Sequence, residues 1–151
     1  MSHKEQIKQL LNLKMDTTGN TKQISDYLHL YLPCPVELDN GGSKIYSRIA
    51  VACGNMDDRF RYVTLREGNG KNSFIHTVLF SENRVKPILR PLSDMTEEEI
   101  NIRMMLANKW SPFNNDIMCS AEQVNYLLKS GFDLFGLIEA GLAIDLTKLN
   151  K

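Results

Sequence analysis

The sequence predicts an α+β fold: a small, curled antiparallel sheet, in its most closed form an SH3-like barrel, flanked by N-terminal helices and a C-terminal capped helical pair. Three observations carry this. Apolar residues recur at helical spacing near both ends of the chain. Between them, β-branched and aromatic runs are separated by turn clusters such as Asp39-Asn40-Gly41-Gly42 and Glu67-Gly68-Asn69-Gly70. Beyond residue 95, helix starts are written as capping motifs. The 151 residues suit one domain, with a helical part over 1–35, a β part over 36–92 and a second helical part over 93–151.

Ser2 to Lys14 carries Ile7, Leu10 and Leu11 at helical spacing, with Ser2 as N-cap, until Asp16-Thr17-Thr18-Gly19-Asn20 breaks it. A second helix, capped by Thr21 or Ser25, would line up Ile24, Leu28, Tyr31 and Leu32 as one stripe. Pro33-Cys34-Pro35 ends it, because proline cannot continue a helix and restricts the residue before it. The period then changes. Val36-Glu37-Leu38, Ile45 to Cys53, Tyr62 to Leu65 and Ser73 to Phe80 read as strands, and Val85 to Arg90 as an edge strand where Pro87 is tolerated.

Thr96-Glu97-Glu98-Glu99 is a capping box, its acidic residues at the positive end of the helix dipole. Ile100, Met104 and Ala107 would continue a buried stripe towards Trp110, before Ser111-Pro112 stops the helix. Ser120-Ala121-Glu122-Gln123 repeats the capping logic, with Val124, Leu127 and Leu128 buried and Gly131 as the C′ residue. Asp133 can cap a short helix bearing Leu134, Leu137 and Ile138 that ends at Gly141, so that a capped helical pair spans Ser120 to Gly141. Leu142 to Asp145 reads as an extended tail able to pair with the sheet.

Composition excludes whole classes. With 42% apolar and 24% charged residues the chain is globular rather than disordered. No run of eighteen apolar residues exists to span a membrane, and Met1-Ser2-His3-Lys4-Glu5-Gln6 lacks the apolar stretch of a secretory signal. Cys34, Cys53 and Cys119 are odd in number and far apart, which suits reduced thiols in a cytoplasm.

The zero net charge hides a division. Residues 41–92 carry nine basic and four acidic residues, a net of +5, whereas residues 93–151 carry five basic and nine acidic, a net of −4. A solvated face, or attraction between two parts of one domain, accounts for this simply. The sharper reading is a surface for an anionic partner, whose contacts would be Arg48, Arg59, Arg61, Arg66, Lys71, Arg84, Lys86 and Arg90.

Three long strings are recognisable. Val85-Lys86-Pro87-Ile88-Leu89-Arg90-Pro91-Leu92-Ser93-Asp94-Met95-Thr96, the run from Tyr126 to Asp145 centred on Gly131-Phe132-Asp133-Leu134-Phe135-Gly136, and Ile24 to Leu32 together cover roughly half the chain. They resemble a group of small proteins of phages, prophages and mobile elements in gut Bacteroides-like bacteria. The resemblance implies a phage or prophage origin and brings no activity, cofactor or catalytic residue with it.

Signals for chemistry are weak. Nucleophilic catalysis would pair Cys34, Cys53 or Cys119 with His29 or His76, yet no spacing links them, and free cysteines commonly serve as small buried apolar residues. No Cys-x-x-Cys, His-x-x-x-His or His-Glu-x-x-His occurs, and Asp57-Asp58 lacks an EF-hand frame. Gly68-Asn69-Gly70-Lys71-Asn72-Ser73 fails the phosphate-loop pattern at Leu65 and Asn72 and reads as a hairpin turn with a basic tip. No cofactor is expected.

Two binding readings follow. The first is a non-enzymatic protein acting on a host or phage protein, in regulation or counter-defence, through the basic β region or the acidic face of Glu97, Glu98, Glu99 and Glu122. The second is a nucleic-acid module, in which cations beside Phe60, Tyr62, Phe74, His76 and Phe80 contact phosphates while the rings stack on bases.

Overall fold

The computed structural model describes residues 22–56, 59–68, 71, 73–108 and 121–149. The expected helix over Ser2–Lys14, the turn over 16–20, Trp110, Cys119 and the cap at Ser120 lie outside these residues. Strands β1 (Cys34–Asn40), β2 (Ser43–Met56), β3 (Arg59–Glu67), β4 (Phe74–Leu79), β5 (Val85–Leu89) and β6 (Ile144–Asp145) form one sheet in the order β4-β3-β2-β1-β5-β6. The helices are α1 (Glu97–Asn108), α2 (Ala121–Lys129) and α3 (Leu146–Leu149).

The α+β class holds, with two corrections to the sheet. It is mixed, because β6 pairs parallel to β5 through Ile88–Ile144 and Leu89–Asp145 while the other four pairings are antiparallel. It is also open, not an SH3-like barrel. After β4 the chain turns through Phe80–Glu82 and Asn83, at a φ of 51°, and β5 adds beside β1 instead of closing on β4.

That path places β5 inside the sheet, correcting the expected edge strand. Asp39 N–H donates to Arg84 C=O at 2.8 Å, so the backbone groups facing β1 belong to Arg84 and then to alternate residues. The Pro87 nitrogen therefore faces the other side, where β6 begins pairing only at Ile88. A residue without an N–H costs nothing there.

The β1–β2 hairpin forms where the turn chemistry demands it. Gly41 and Gly42 sit at φ of 65° and 97°, and Gly42 N–H donates to Asp39 Oδ1 at 3.0 Å. Register shifts between Val36 and Leu38, and along β2–β3, bend the sheet around its core face. That face buries Cys34, Val36, Ala50, Val63, Leu65, Val78 and Leu89. Fully burying a Leu or Val of this kind contributes roughly 1.5–3 kcal/mol.

The segment Ile24–Leu32 covers this face as two 3₁₀ turns, Ile24–Asp26 and Leu28–Leu30, rather than as one α-helix. Tyr27, at a φ of −121°, breaks the run between them. The apolar stripe survives: Ile24, Leu28 and Tyr31 are buried in the core. The Tyr31 hydroxyl accepts from Leu134 N–H at 3.1 Å, and Lys22 Nζ donates to Phe135 C=O at 2.8 Å, fastening this segment to the C-terminal part.

The capping box at the start of α1 is realised in both directions. Thr96 N–H donates to Glu99 Oε2 at 2.9 Å and Glu99 N–H to Thr96 Oγ1 at 3.2 Å. The expected burial of Ile100 and Met104 is not: they are 39% and 43% exposed, because α1 turns Glu99, Ile102, Arg103 and Leu106 inward instead. In α2, Leu127 and Gln123 are buried, and Gly131 takes the left-handed C′ conformation at a φ of 76°.

The second member of the expected helical pair is a capped turn, not a helix. Asp133 does cap it, accepting from Leu137 and Ile138 N–H at 2.9 Å each, but Gly136 at a φ of 70° departs from helical geometry. Leu134 and Leu137 are buried as expected. The tail pairs with the sheet as β6.

Candidate functional site

Seven of the eight basic residues expected at a partner surface separate into two groups, and Lys86 stands apart from both. Three are drawn into the fold. Arg48 projects from the core face of β2, its side chain only 11% exposed, with Nη1 2.6 Å from Glu67 Oε1. Arg84 donates from Nε to Asp39 C=O at 2.9 Å, from Nη1 to Glu82 Oε2 at 2.9 Å and from Nη2 to Asn40 Oδ1 at 3.2 Å. Arg90 holds Glu99 and Asp94 and lies over the Phe132 ring, 4.3 Å from its centroid.

Arg59, Arg61 and Arg66 on β3, and Lys71 in the turn that follows, are exposed and make no ion pair among the described residues. Lys86 stands opposite Glu37 on β1 and is half-buried, apart from that group. The free cations are therefore concentrated on one strand and one turn, next to the sheet edge.

The faces of this edge follow from register. Residues directly opposite in an antiparallel pair share a face. Val63 and Val78 are opposite and buried, so Tyr62–Leu79, Thr64–Thr77 and Arg66–Ile75 stand on the outer face. Ile75 and Leu79 are 66% and 48% exposed there. Phe74, on the core face but beyond the core, is also exposed. The sequence placed this strand without revealing its outer position. A signal was present: from Asn72 to Ser81 the chain has no Asp, Glu, Lys or Arg.

The rings proposed to stack on bases are largely committed elsewhere. The extra residue of β3 between its pairings with Gly54 and Asn55 brings Phe60 onto the side where His29 lies, and the two rings stack with centroids 4.5 Å apart. The Tyr62 ring covers Gly54, whose position has no room for a side chain: an added Cβ would run into ring carbon Cζ. Phe80 packs against the core, and His76 is half-buried with Nε2 lacking a hydrogen-bond partner among the described residues. Only Phe74 of the five stands well exposed.

The thiols are chemically quiet. Burial pushes Cys34 up to about 12 and Cys53 up to about 11, so both stay protonated near neutral pH and neither supplies a thiolate. Among the described residues, no group of three or more His, Cys, Asp or Glu side chains is placed to hold a metal ion, and no helix is long and apolar enough to cross a membrane. No protein-family model matches the chain, and comparison with curated proteins and with solved structures finds no significant similarity.

Proposed function

We propose that this chain is a non-enzymatic binding protein whose outer β3–β4 surface docks a protein partner carrying acidic side chains. The observation that carries this is the juxtaposition of exposed cations with no ion pair among the described residues (Arg59, Arg61, Arg66, Lys71) and exposed aliphatic side chains (Ile75, Leu79) on one sheet margin. An exposed apolar patch rimmed by charge marks an interaction site, and Arg is enriched in protein interfaces. A phage or prophage origin, which the motif strings imply, makes the partner a host or phage protein met in the bacterial cytoplasm, in regulation or counter-defence.

The nucleic-acid reading draws on the same cations. It is disfavoured by the rings: base stacking needs open aromatic faces beside the cations, and Phe60 and Tyr62 are covered by His29 and Gly54. A salt titration against labelled single-stranded DNA and RNA separates the two. The expected result is no binding at about 50 mM salt; micromolar binding that falls steeply with added salt, as counterion release requires, overturns the protein reading.

A further inference from the structure

We propose that the free edge of β4 pairs with β4 of a second copy about a twofold axis, joining two sheets into one. This goes beyond the proposed function: it uses the backbone edge of β4, although Ile75 and Leu79 of the outer face enter both. Among the described residues β4 ends the sheet, and no described strand lies beside its outer row of backbone N–H and C=O groups. Natural edges are blunted by charge, proline or bulges. This one has none: Phe74-Ile75-His76-Thr77-Val78-Leu79 lacks Lys, Arg, Asp, Glu and Pro, and its pairing with β3 runs without a register shift.

Register narrows the pairing. A twofold axis normal to the sheet keeps the outer face outer in both copies, so only residues of the same parity can face each other. Centred on Thr77, the pairing sets Ile75 against Leu79 of the second copy on the outer face, twice, and Thr77 against its own copy. These are the two aliphatic side chains that β4 leaves exposed on that face, at 66% and 48%. The central row then runs Thr64–Thr77 into Thr77–Thr64 of the other copy, and Thr–Thr pairs across strands are favourable. Centred on His76, the axis would instead set Ile75 against Thr77 and leave Leu79 uncovered.

The charges agree with the same axis. Antiparallel pairing brings the start of β4, next to exposed Lys71, towards the end of β4 in the other copy, where Glu82 follows. Lys71 has no ion pair among the described residues, and Glu82 remains 41% exposed while bonded to Arg84. A six-residue edge covers less than the roughly 1,600 Å² of a standard interface, so a weak, concentration-dependent dimer is expected.

Sedimentation equilibrium of the full chain over a concentration series tests this. The wild type should move from 17.2 kDa towards twice that mass as concentration rises. Thr77→Lys and Thr77→Glu each place like charges face to face and should be monomeric throughout, while an equimolar mixture of the two should recover the doubled mass. Circular dichroism shows whether both variants fold. If they do not, Thr77→Cys replaces them, and a short bis-maleimide should link it into dimers at concentrations where the wild type is unlinked. A wild type that stays monomeric to the high micromolar range overturns the proposal, as does a dimer indifferent to both charge variants. A monomer whose binding to an acidic partner is abolished by Thr77→Lys assigns the edge to that partner and equally overturns it.

Discussion

Arg90 grips Glu99 with two parallel hydrogen bonds, 2.7 Å from Nη1 to Oε1 and 3.0 Å from Nη2 to Oε2. The same residue receives Asp133 N–H and donates its own N–H to Gly131 C=O, at 2.8 Å each. One residue thus ties the end of β5 to the start of α1 through its side chain and to the turn after α2 through its backbone, with Phe132 under the guanidinium. An arginine counted in the sequence as surface charge is a joint of the fold.

This joint has a pH signature. The Arg90 guanidinium, followed by the Thr96 N–H, lowers the Glu99 carboxyl from 4.5 to about 2. A folded value below the unfolded one means that the stabilisation is complete above pH 4.5 and is lost as pH falls towards 2. Urea midpoints measured across this window should drop for the wild type, and Glu99→Gln should remove that part of the slope. An unchanged slope in Glu99→Gln contradicts the assignment.

Arginines of the two groups should behave oppositely on removal. Arg90→Ala leaves Glu99 and Asp94 without their cation and should lower stability by roughly 2–3 kcal/mol. Arg59→Ala and Arg66→Ala should stay within about 0.5 kcal/mol of the wild type, as surface changes do. Thermal unfolding of the three variants side by side checks this.

Asp133 is buried and accepts N–H groups from Phe135, Leu137 and Ile138. Replacing it by Ala strands those donors and should cost roughly 2–4 kcal/mol, read as a fall in Tm. Asp133→Asn keeps one acceptor oxygen and should recover part of the loss. An unchanged Tm in Asp133→Ala would show that the turn does not depend on these bonds.

At Gly54 the constraint is steric. Gly54→Ala drives a methyl into the Tyr62 ring, and overpacking of this kind costs typically 1–3 kcal/mol. Tyr62→Ala in the same chain removes the clash, so the double variant should be more stable than the sum of the two single losses implies. Additive losses would mean that the ring does not lie over the glycine.

What was legible in the sequence was local chemistry. The capping box at Thr96, the Gly41-Gly42 turn and the C′ glycine at Gly131 each depend on a few adjacent residues, and each is present. What escaped depends on contacts between distant segments. The place of β5 beside β1 follows from the turn after β4, and the exposure of Ile100 and Met104 from the side of α1 that packs inward, where Glu99 meets Arg90. At Gly136, apolar spacing suggested a helix that the left-handed backbone interrupts. For the candidate surface, charge density identified the right region. It could not sort free arginines from paired ones, because Glu67 and Glu99 reach Arg48 and Arg90 only through the fold.

Affinity capture from bacterial lysate with two baits tests the protein-docking surface on the outer side of β3 and β4. One bait is the wild type; the other is Arg59→Glu/Arg66→Glu, which reverses two exposed cations, leaves β4 unaltered and is expected to keep the wild-type Tm within a few degrees. The expected result is a protein retained by the wild type and released by the charge-reversed chain. A protein retained equally by both would contradict a docking surface here, because the binding surface would then lie elsewhere.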